Sequence, residues 1–346
     1  MVFDGEATMT LAAQVARQLA ARARWRPLEL VFWLAALASI FLLPSRHLIL
    51  TEVAILGLFA LSLDLILGYA GILSLGHAAF FGLGAYAAGL LAKYALIGEP
   101  VLALFAAGLA AAALGFVTSF LLLRGSDLTR LMVTLGIALI LREIANRYDW
   151  LTGGADGLQG IVIGPVLGAF AFDITGHVAY VYSLFVLFLA FLAARRLMNS
   201  PFGLSLRAIK GNPVRAAAVG IGVDARLVAI YTIAAGYAGI AGALLTQTTQ
   251  FASLDVFSFE RSADVLLVLI LGGTGYLYGG LIGAVVFKLV QDALINVTAQ
   301  YWQFWIGLVL VLIVLGGERA KRLWAAAGGR IARRFGRRPK LDAEAP

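Results

Sequence analysis

Long apolar runs, separated by short polar or glycine-rich breaks, occupy most of the chain. A transmembrane helix needs roughly 20 mostly apolar residues, and the pattern predicts ten candidate spans, some too short to be complete helices. The shortest spans only ten residues, or about 15 Å at 1.5 Å per residue. The candidates are 28–43, 48–67, 76–97, 101–123, 131–148, 178–198, 226–247, 263–272, 276–297 and 301–316. The sequence therefore predicts an all-α polytopic membrane protein with about ten transmembrane segments, some of them broken or re-entrant.

The distribution of charge predicts which loops share a side of the membrane. Cytoplasmic loops hold an excess of Lys and Arg, and placing both termini in the cytoplasm puts 21 of the 27 basic residues on that side. This orientation makes residues 1–27 a cytoplasmic segment that is not cleaved as a signal peptide, and 28–316 the transmembrane domain. The basic loop 195–226 is then cytoplasmic, and the loop 149–177, which has no Lys or Arg, is periplasmic. The basic tail 317–346 is also cytoplasmic, and we expect it to contact anionic membrane lipids rather than nucleic acid.

Several chemical functions lack the motifs that they need. None of the five lysines follows a glycine, so the phosphate-binding loop G-x-x-x-x-G-K-[ST] is absent. The three histidines are scattered, there is no cysteine, and no G-x-S-x-G sequence occurs. We therefore expect no catalytic residues, no metal site and no cofactor in this chain. Transport across the membrane is the leading class of function, with an enzyme or structural membrane protein as a distant alternative.

Glycine-rich breaks between apolar spans are the predicted translocation pathway. A backbone group freed inside lipid must be buried in protein or line a watery cavity, and transporters use such broken helices in two corresponding halves. Segment 65–76 aligns with segment 269–280 at seven positions, which suggests an internal repeat. The alternative is that small residues only allow close helix packing, as expected for Gly82, Gly84 and Gly89. The predicted pathway residues are Gly68, Tyr69, Gly71, Ser74, Gly76, His77, Gly272, Gly273, Thr274 and Gly275.

Several ionisable residues in or near the apolar spans have more than one possible role. His77 either faces a cavity or makes a structural hydrogen bond to a nearby carbonyl. Asp64 or Glu143 could couple transport to protons, and Lys288 could neutralise Asp292 four residues later. In the basic loop 195–226, two short helical pieces are predicted around Pro213, and they form either a docking surface or an amphipathic connector.

A combination of motifs resembles the permease subunits of branched-chain amino acid ABC importers, of the LivM-like type. The matching motifs cover about 48–316 and are, in order, GYAGILSLGHAAFFGLGAYAAGLL, RGSDLTRLMVTLGIALILREI, LTGGADGL, SPFGLSLRAIKGNPVRAAAVGIGV, AGYAGIAGALL and LILGGTGYLYGGLIGA. The resemblance implies a bacterial inner-membrane subunit that pairs with a second homologous permease. Two cytoplasmic ATPase subunits, which use ATP, and a periplasmic substrate-binding protein would complete the importer. The implied cargo is branched-chain or related amino acids or small amides.

The resemblance also implies a region that couples to the ATPases. The positions carried over to it are Arg207, Ala208, Ile209, Asn212, Ala216, Ala217, Ala218, Gly220 and Ile221. The acidic residue of the general "EAA" signature is absent here, where Arg215, Ala216 and Ala217 stand, so we expect apolar packing and backbone contacts into an ATPase groove. Asp64 also departs from the asparagine that often precedes LxLGYxG in relatives. The alternative function is a self-contained channel or an ion-coupled secondary transporter for a small solute.

Overall fold

The structure of the chain, a computed structural model, describes residues 27–122, 125, 127–173, 175–297, 301 and 304–308. Within those residues the chain forms helices, with two isolated β-bridges and no strand, which confirms the all-α fold class. The predicted N-terminal segment, except for its last residue, most of the predicted span 301–316 and the whole basic tail 317–346 lie outside the described residues.

Twelve α-helices have both ends within the described part of the chain, and residues 304–308 are also helical. In order they are α1 (Pro27–Leu42), α2 (His47–Leu67), α3 (Ala78–Lys93), α4 (Pro100–Leu122), α5 (Asp127–Arg147), α6 (Asp149–Thr152), α7 (His177–Met198), α8 (Pro201–Gly211), α9 (Pro213–Ala218), α10 (Val223–Thr249), α11 (Phe259–Gly272) and α12 (Leu277–Val297). The chain divides into two compact units at Lys288, and every contact described below lies within the first.

Five of the described helices are long and apolar enough to cross a membrane: Pro44–Leu67, Pro100–Leu122, His177–Met198, Val223–Thr249 and Leu277–Ile295. The predicted number of about ten spans is therefore not confirmed. Helices α1 and α3 are apolar but have only 16 residues each. Helix α5 covers the predicted span 131–148 but carries charged residues near both ends, and α11 has 14 residues. The structure thus combines long helices with short ones.

Helix α10 lies at the centre of the bundle and packs against α2, α3 and α4. Small residues let these helices approach closely, as is common where lipid supplies no hydrophobic driving force between helices. A Cβ atom at Gly84 of α3 would lie only 2.1 Å from the carbonyl oxygen of Gly239 in α10. On the other side of α10, a Cβ atom at Gly239 would lie 2.3 Å from Ala111 of α4. The close packing expected of Gly84 is confirmed.

The loops form two groups of neighbours, which we call outer and inner after the sides predicted from charge. In the outer loops (93–100, 148–177 and 250–258), the backbone N–H of Leu167 donates to Glu99 and that of Leu158 donates to the carbonyl of Ala252 at 2.7 Å. In the inner loops (68–77, 199–222 and 272–276), Lys210 contacts Gly68. The charge pattern therefore grouped together loops that are neighbours in space.

Asp173 in the outer loops caps the N-terminus of α7. Its carboxylate accepts hydrogen bonds from the Thr175 hydroxyl and from the backbone N–H groups of His177 and Val178. Slight burial opposes ionisation, but these hydrogen bonds outweigh it and hold the pKa of Asp173 below its usual value. The cap therefore stabilises the helix end above the ordinary pKa of an aspartate, and this contribution is lost as the pH falls through the lowered pKa.

The α3–α10 contact gives a matched pair of substitutions. Gly84→Ala should lower the thermal unfolding midpoint of the purified protein in detergent, because overpacking of a close contact costs ~1–3 kcal/mol. Gly136→Ala in α5 is the control, since a Cβ atom there meets nothing within 4 Å and alanine favours the helix by ~1 kcal/mol. If both variants unfold at the same temperature, the contact between α3 and α10 does not require glycine at position 84.

Candidate functional site

The first glycine-rich turn follows the end of α2. Residue Gly68 caps this helix, and the N–H groups of Ala70 and Ile72 both donate to the carbonyl of Ile66. Gly71 then takes a φ of +76°, a left-handed conformation that favours glycine. The chain continues without regular structure until α3 begins at Ala78. The sequence pattern placed that start near Gly76, so the break between the two helices is slightly longer than predicted.

The second glycine-rich turn shares two features with the first. Helix α11 ends at Gly272, the residue aligned with Gly68, and Gly275, aligned with Gly71, has a φ of +80°. The two copies differ after the turn, because α12 begins only two residues beyond Gly275, at Leu277. Within the turn, Gly273 is also left-handed, with a φ of +91°, whereas Tyr69, the residue aligned with it, is not. The internal repeat therefore stays a prediction.

The two turns touch each other through Asp64, near the end of α2. One carboxylate oxygen of Asp64, Oδ1, accepts a hydrogen bond of 2.7 Å from the backbone N–H of Gly275. A Cβ atom at Gly68 would lie 2.5 Å from that same nitrogen, so only glycine allows this approach. Asp64 is completely buried. The predicted pathway residues 68–71 and 272–275 therefore form one cluster.

Helix α8 of the predicted coupling region holds the first turn from its other side. The ammonium group of Lys210 donates a hydrogen bond of 2.6 Å to the carbonyl oxygen of Gly68. The guanidinium carbon of Arg207 lies 5.2 Å from the centre of the Tyr69 ring, within the range of a cation–π interaction. A cation at the C-terminal end of α2 also favours the helix dipole. The structure thus joins the predicted pathway to the predicted coupling region.

The two short helical pieces predicted in the basic loop are confirmed as α8 and α9. Ser200 and Asn212 cap them by accepting hydrogen bonds from the N–H groups of Phe202 and Arg215, and a proline follows each cap. Gly220, with a φ of +85°, follows the end of α9. The caps explain why a loop of this composition folds into two helices.

One face of α8 and α9 is buried and the other is exposed. Of the predicted coupling residues, Ile209 and Ala216 are buried and Ile221 is partly buried, whereas Arg207, Ala208, Asn212, Ala217, Ala218 and Gly220 are exposed. Two valines that the sequence analysis did not single out, Val214 and Val219, are 78% and 77% exposed. We call the exposed residues Val214, Ala217, Ala218 and Val219 the α9 apolar surface. It faces away from the bundle.

His77 lies in the buried interior, directly before α3. Its Nε2 atom is 2.8 Å from the hydroxyl oxygen of Ser62, and that hydroxyl is 2.6 Å from the carbonyl oxygen of Phe59. The pattern fits a ring N–H that donates to Ser62, whose own O–H donates to the carbonyl. The ring also stacks on Phe59. His77 therefore reaches a backbone carbonyl through a hydroxyl, and its predicted role in the pathway stays a prediction.

Two further predicted pathway residues lie beside His77. Ser74 is fully buried, and its hydroxyl has no hydrogen-bond partner among the residues that the structure describes. Gly76 packs against the backbone of Thr134 in α5, so closely that a Cβ atom would overlap its carbonyl oxygen. Residues 74–77 therefore lie between α2 and α5, and the hydroxyl group of Ser74 has no partner among the described residues.

The other ionisable residues singled out in the sequence lie apart from this cluster. Glu143 is exposed on α5. Lys288 forms an ion pair with Glu52 of α2, with 2.5 Å between the nitrogen and the oxygen. Its neutralisation of Asp292 stays a prediction. In the described part of the chain, no group of three His, Asp or Glu residues is placed to hold a metal ion.

Lys210 is the residue at this cluster that sequence reasoning missed. It lies three positions after Arg207, so both side chains extend from neighbouring positions of one helix face. The spacing indicates that the two residues can contact the same partner, and both do contact the turn 68–71. The acceptor of Lys210, however, lies 142 residues away in the sequence, and no local pattern indicates such a contact.

A cleft of about 510 Å³ opens in the outer loops. It is lined by Lys93, Asp149, Trp150, Gly153, Asp156, Gly157 and Gln159. Gly153, Asp156 and Gly157 belong to the motif LTGGADGL, and the lining carries charges of both signs.

The known proteins and the family model that match this chain are all described as permease components of transport systems. Residues 46–314 match the family model described as "Branched-chain amino acid transport system / permease component". The chain is 29% identical over 281 residues to the high-affinity branched-chain amino acid transport system permease protein LivM of Escherichia coli, and equally to that of Salmonella typhimurium. It is 26% identical over 206 residues to the galactose/methyl galactoside import permease protein MglC of Salmonella typhimurium, covering 57% of this chain and 61% of that protein.

The alignments with the two LivM proteins cover 75% of this chain but only 65% of each relative. No solved structure matches the chain. The family model nevertheless covers well over half of the sequence, including both glycine-rich turns and the helices α8 and α9. The chain therefore belongs to the family of branched-chain amino acid transport system permease components.

Proposed function

We propose that this chain is the permease subunit of an ABC importer in the bacterial inner membrane. It would translocate branched-chain or related amino acids or small amides, powered by separate ATPase subunits. The observation that carries the proposal is the junction between the predicted coupling region and the predicted pathway, where Lys210 contacts Gly68 and Arg207 contacts Tyr69. Membership of the permease family and the similarity to LivM proteins support the choice of cargo.

The importer would contain a second homologous permease, two cytoplasmic ATPases and a periplasmic substrate-binding protein. The α9 apolar surface is suited to the ATPase contact, because exposed apolar residues beyond a membrane bundle often form protein interfaces. In this arrangement both termini and the inner loops face the cytoplasm, and the outer loops with their cleft face the binding protein. The basic residues of the inner loops agree with this orientation.

Transport by this mechanism has four steps. The binding protein delivers the substrate to the outer loops, and ATP binding moves the ATPases beneath α9. That movement passes from α9 to α8, and from α8 to the two glycine-rich turns. The turns then change their contacts with each other and open the pathway on alternate sides. In this chain the residues Gly68, Tyr69, Gly71, Ser74, Gly76 and His77, with Gly272, Gly273, Thr274 and Gly275, would line or control that passage.

Reconstitution tests the source of energy. We expect the purified chain alone to hydrolyse no ATP, and liposomes that contain the complete importer to accumulate radiolabelled leucine only with ATP inside and binding protein outside. The same liposomes without the ATPases are the control. Accumulation by liposomes that contain this chain alone, without ATP, would show instead a self-contained channel or an ion-coupled transporter.

A charge placed on the α9 apolar surface tests the docking assignment. Ala217→Asp should lower ATP-dependent uptake about tenfold or more, because burying an unpaired carboxylate in an apolar interface is strongly unfavourable. Co-purification of the two permeases should be unchanged, since Ala217 is exposed in this chain.

The matched control for this substitution is Ala225→Asp. Ala225 is also exposed, but it lies in the first turn of α10, outside the predicted coupling residues, where a carboxylate suits the helix dipole. We expect normal uptake from this variant. Normal uptake by Ala217→Asp would contradict the docking assignment, whereas loss of uptake by both variants would point to a general effect of negative charge.

A further inference from the structure

The ammonium group of Lys210 lies at the contact that we call the inner junction, formed by Asp64, Gly68, Lys210 and Gly275. Lys210 donates to the carbonyl oxygen of Gly68 at 2.6 Å. The carboxylate of Asp64 lies beside the same residue, because a Cβ atom at Gly68 would overlap Oδ1 of Asp64. The lysine stem lies against Gly71, where a Cβ atom would be 3.2 Å from Cγ of Lys210. The Gly68 carbonyl and the Asp64 carboxylate are therefore neighbours at the place where Lys210 binds.

One carboxylate oxygen of Asp64 could accept a further hydrogen bond. Its Oδ1 atom accepts from Gly275, but its second oxygen, Oδ2, is buried and has no hydrogen-bond partner among the residues that the structure describes. A buried carboxylate oxygen without a donor is costly, so this arrangement is unfavourable in the state described. A donor that reached Oδ2 in another state would offset that cost and favour that state.

We propose that Lys210 is a positioning residue that couples α8 to the two glycine-rich turns by exchanging the Gly68 carbonyl for the Asp64 carboxylate. This inference rests on the proposed function and goes beyond it by naming the contact that changes. In the state described, Lys210 holds the end of α2. When α8 moves with the ATPases, the ammonium group transfers to Asp64, next to the hydrogen bond from Gly275, so that both turns respond together.

The test compares substrate taken up per ATP hydrolysed in liposomes that hold the complete importer. Lys210→Met keeps the apolar stem but removes the charge and the donor. It should lower this ratio about tenfold, the order expected from losing one hydrogen bond to a charged group, while the amount of assembled importer stays the same. Arg196→Met is the matched control, because Arg196 is exposed at the end of α7 and lies outside the site; its ratio should equal that of the wild type.

A second variant tests the other half of the exchange. Asp64→Asn keeps an oxygen for the N–H of Gly275 and leaves the contact between Lys210 and Gly68 intact, but it removes the charge that would attract the ammonium group. It should lower the ratio by less than Lys210→Met does. The double variant should behave like Lys210→Met alone, because both substitutions remove parts of the same contact.

The outcomes separate this proposal from a structural role and from the proposed function. If Lys210→Met lowers uptake and ATP hydrolysis in the same proportion, Lys210 only supports the fold and the proposal is wrong. A wild-type ratio in Asp64→Asn, or losses that add in the double variant, would also overturn it. If the wild-type importer shows no ATP-dependent uptake, the proposed function itself fails, and this inference fails with it.

Discussion

The structure depends on how it satisfies the backbone groups that a broken helix exposes. Inside a bilayer, a free N–H or C=O group must find a partner within the protein or in a watery cavity. At the inner junction the N–H of Gly275 finds the carboxylate of Asp64, and the C=O of Gly68 finds the ammonium of Lys210. Each partner comes from a different element, so the break in one helix requires the presence of the others.

This requirement explains which residues occupy the junction. The turns must approach each other closely, and Gly68 permits that approach because any side chain would meet the nitrogen of Gly275. The left-handed conformations of Gly71 and Gly275 reverse the chain after each helix. Glycines that weaken a helix are therefore used where the helix has to end. Gly84 serves a different purpose, since it lies inside α3 and lets α10 approach.

Much of this arrangement could be predicted from the sequence, because its signals are local. Pro213 predicts the division of the basic loop into the two short helices α8 and α9, and the grouping of loops follows from the placement of Lys and Arg. The number of spans was harder to predict, because charges near the ends of α5 and the shortness of α11 blur the distinction between a crossing helix and a shorter one. Contacts between distant residues, such as Lys210 with Gly68, follow only from the packed bundle.

The state of the junction also bears on how a substrate would be chosen. An amino acid brings an ammonium and a carboxylate group, and each needs a partner when it leaves water. In the described state the Gly68 carbonyl, the Gly275 N–H and one oxygen of Asp64 already have partners within the junction. The Gly68 carbonyl and the Gly275 N–H could bind a zwitterion only by giving up their present partners. The turns are therefore better suited to opening and closing a passage than to distinguishing between amino acids, which agrees with a system in which a separate binding protein selects the cargo.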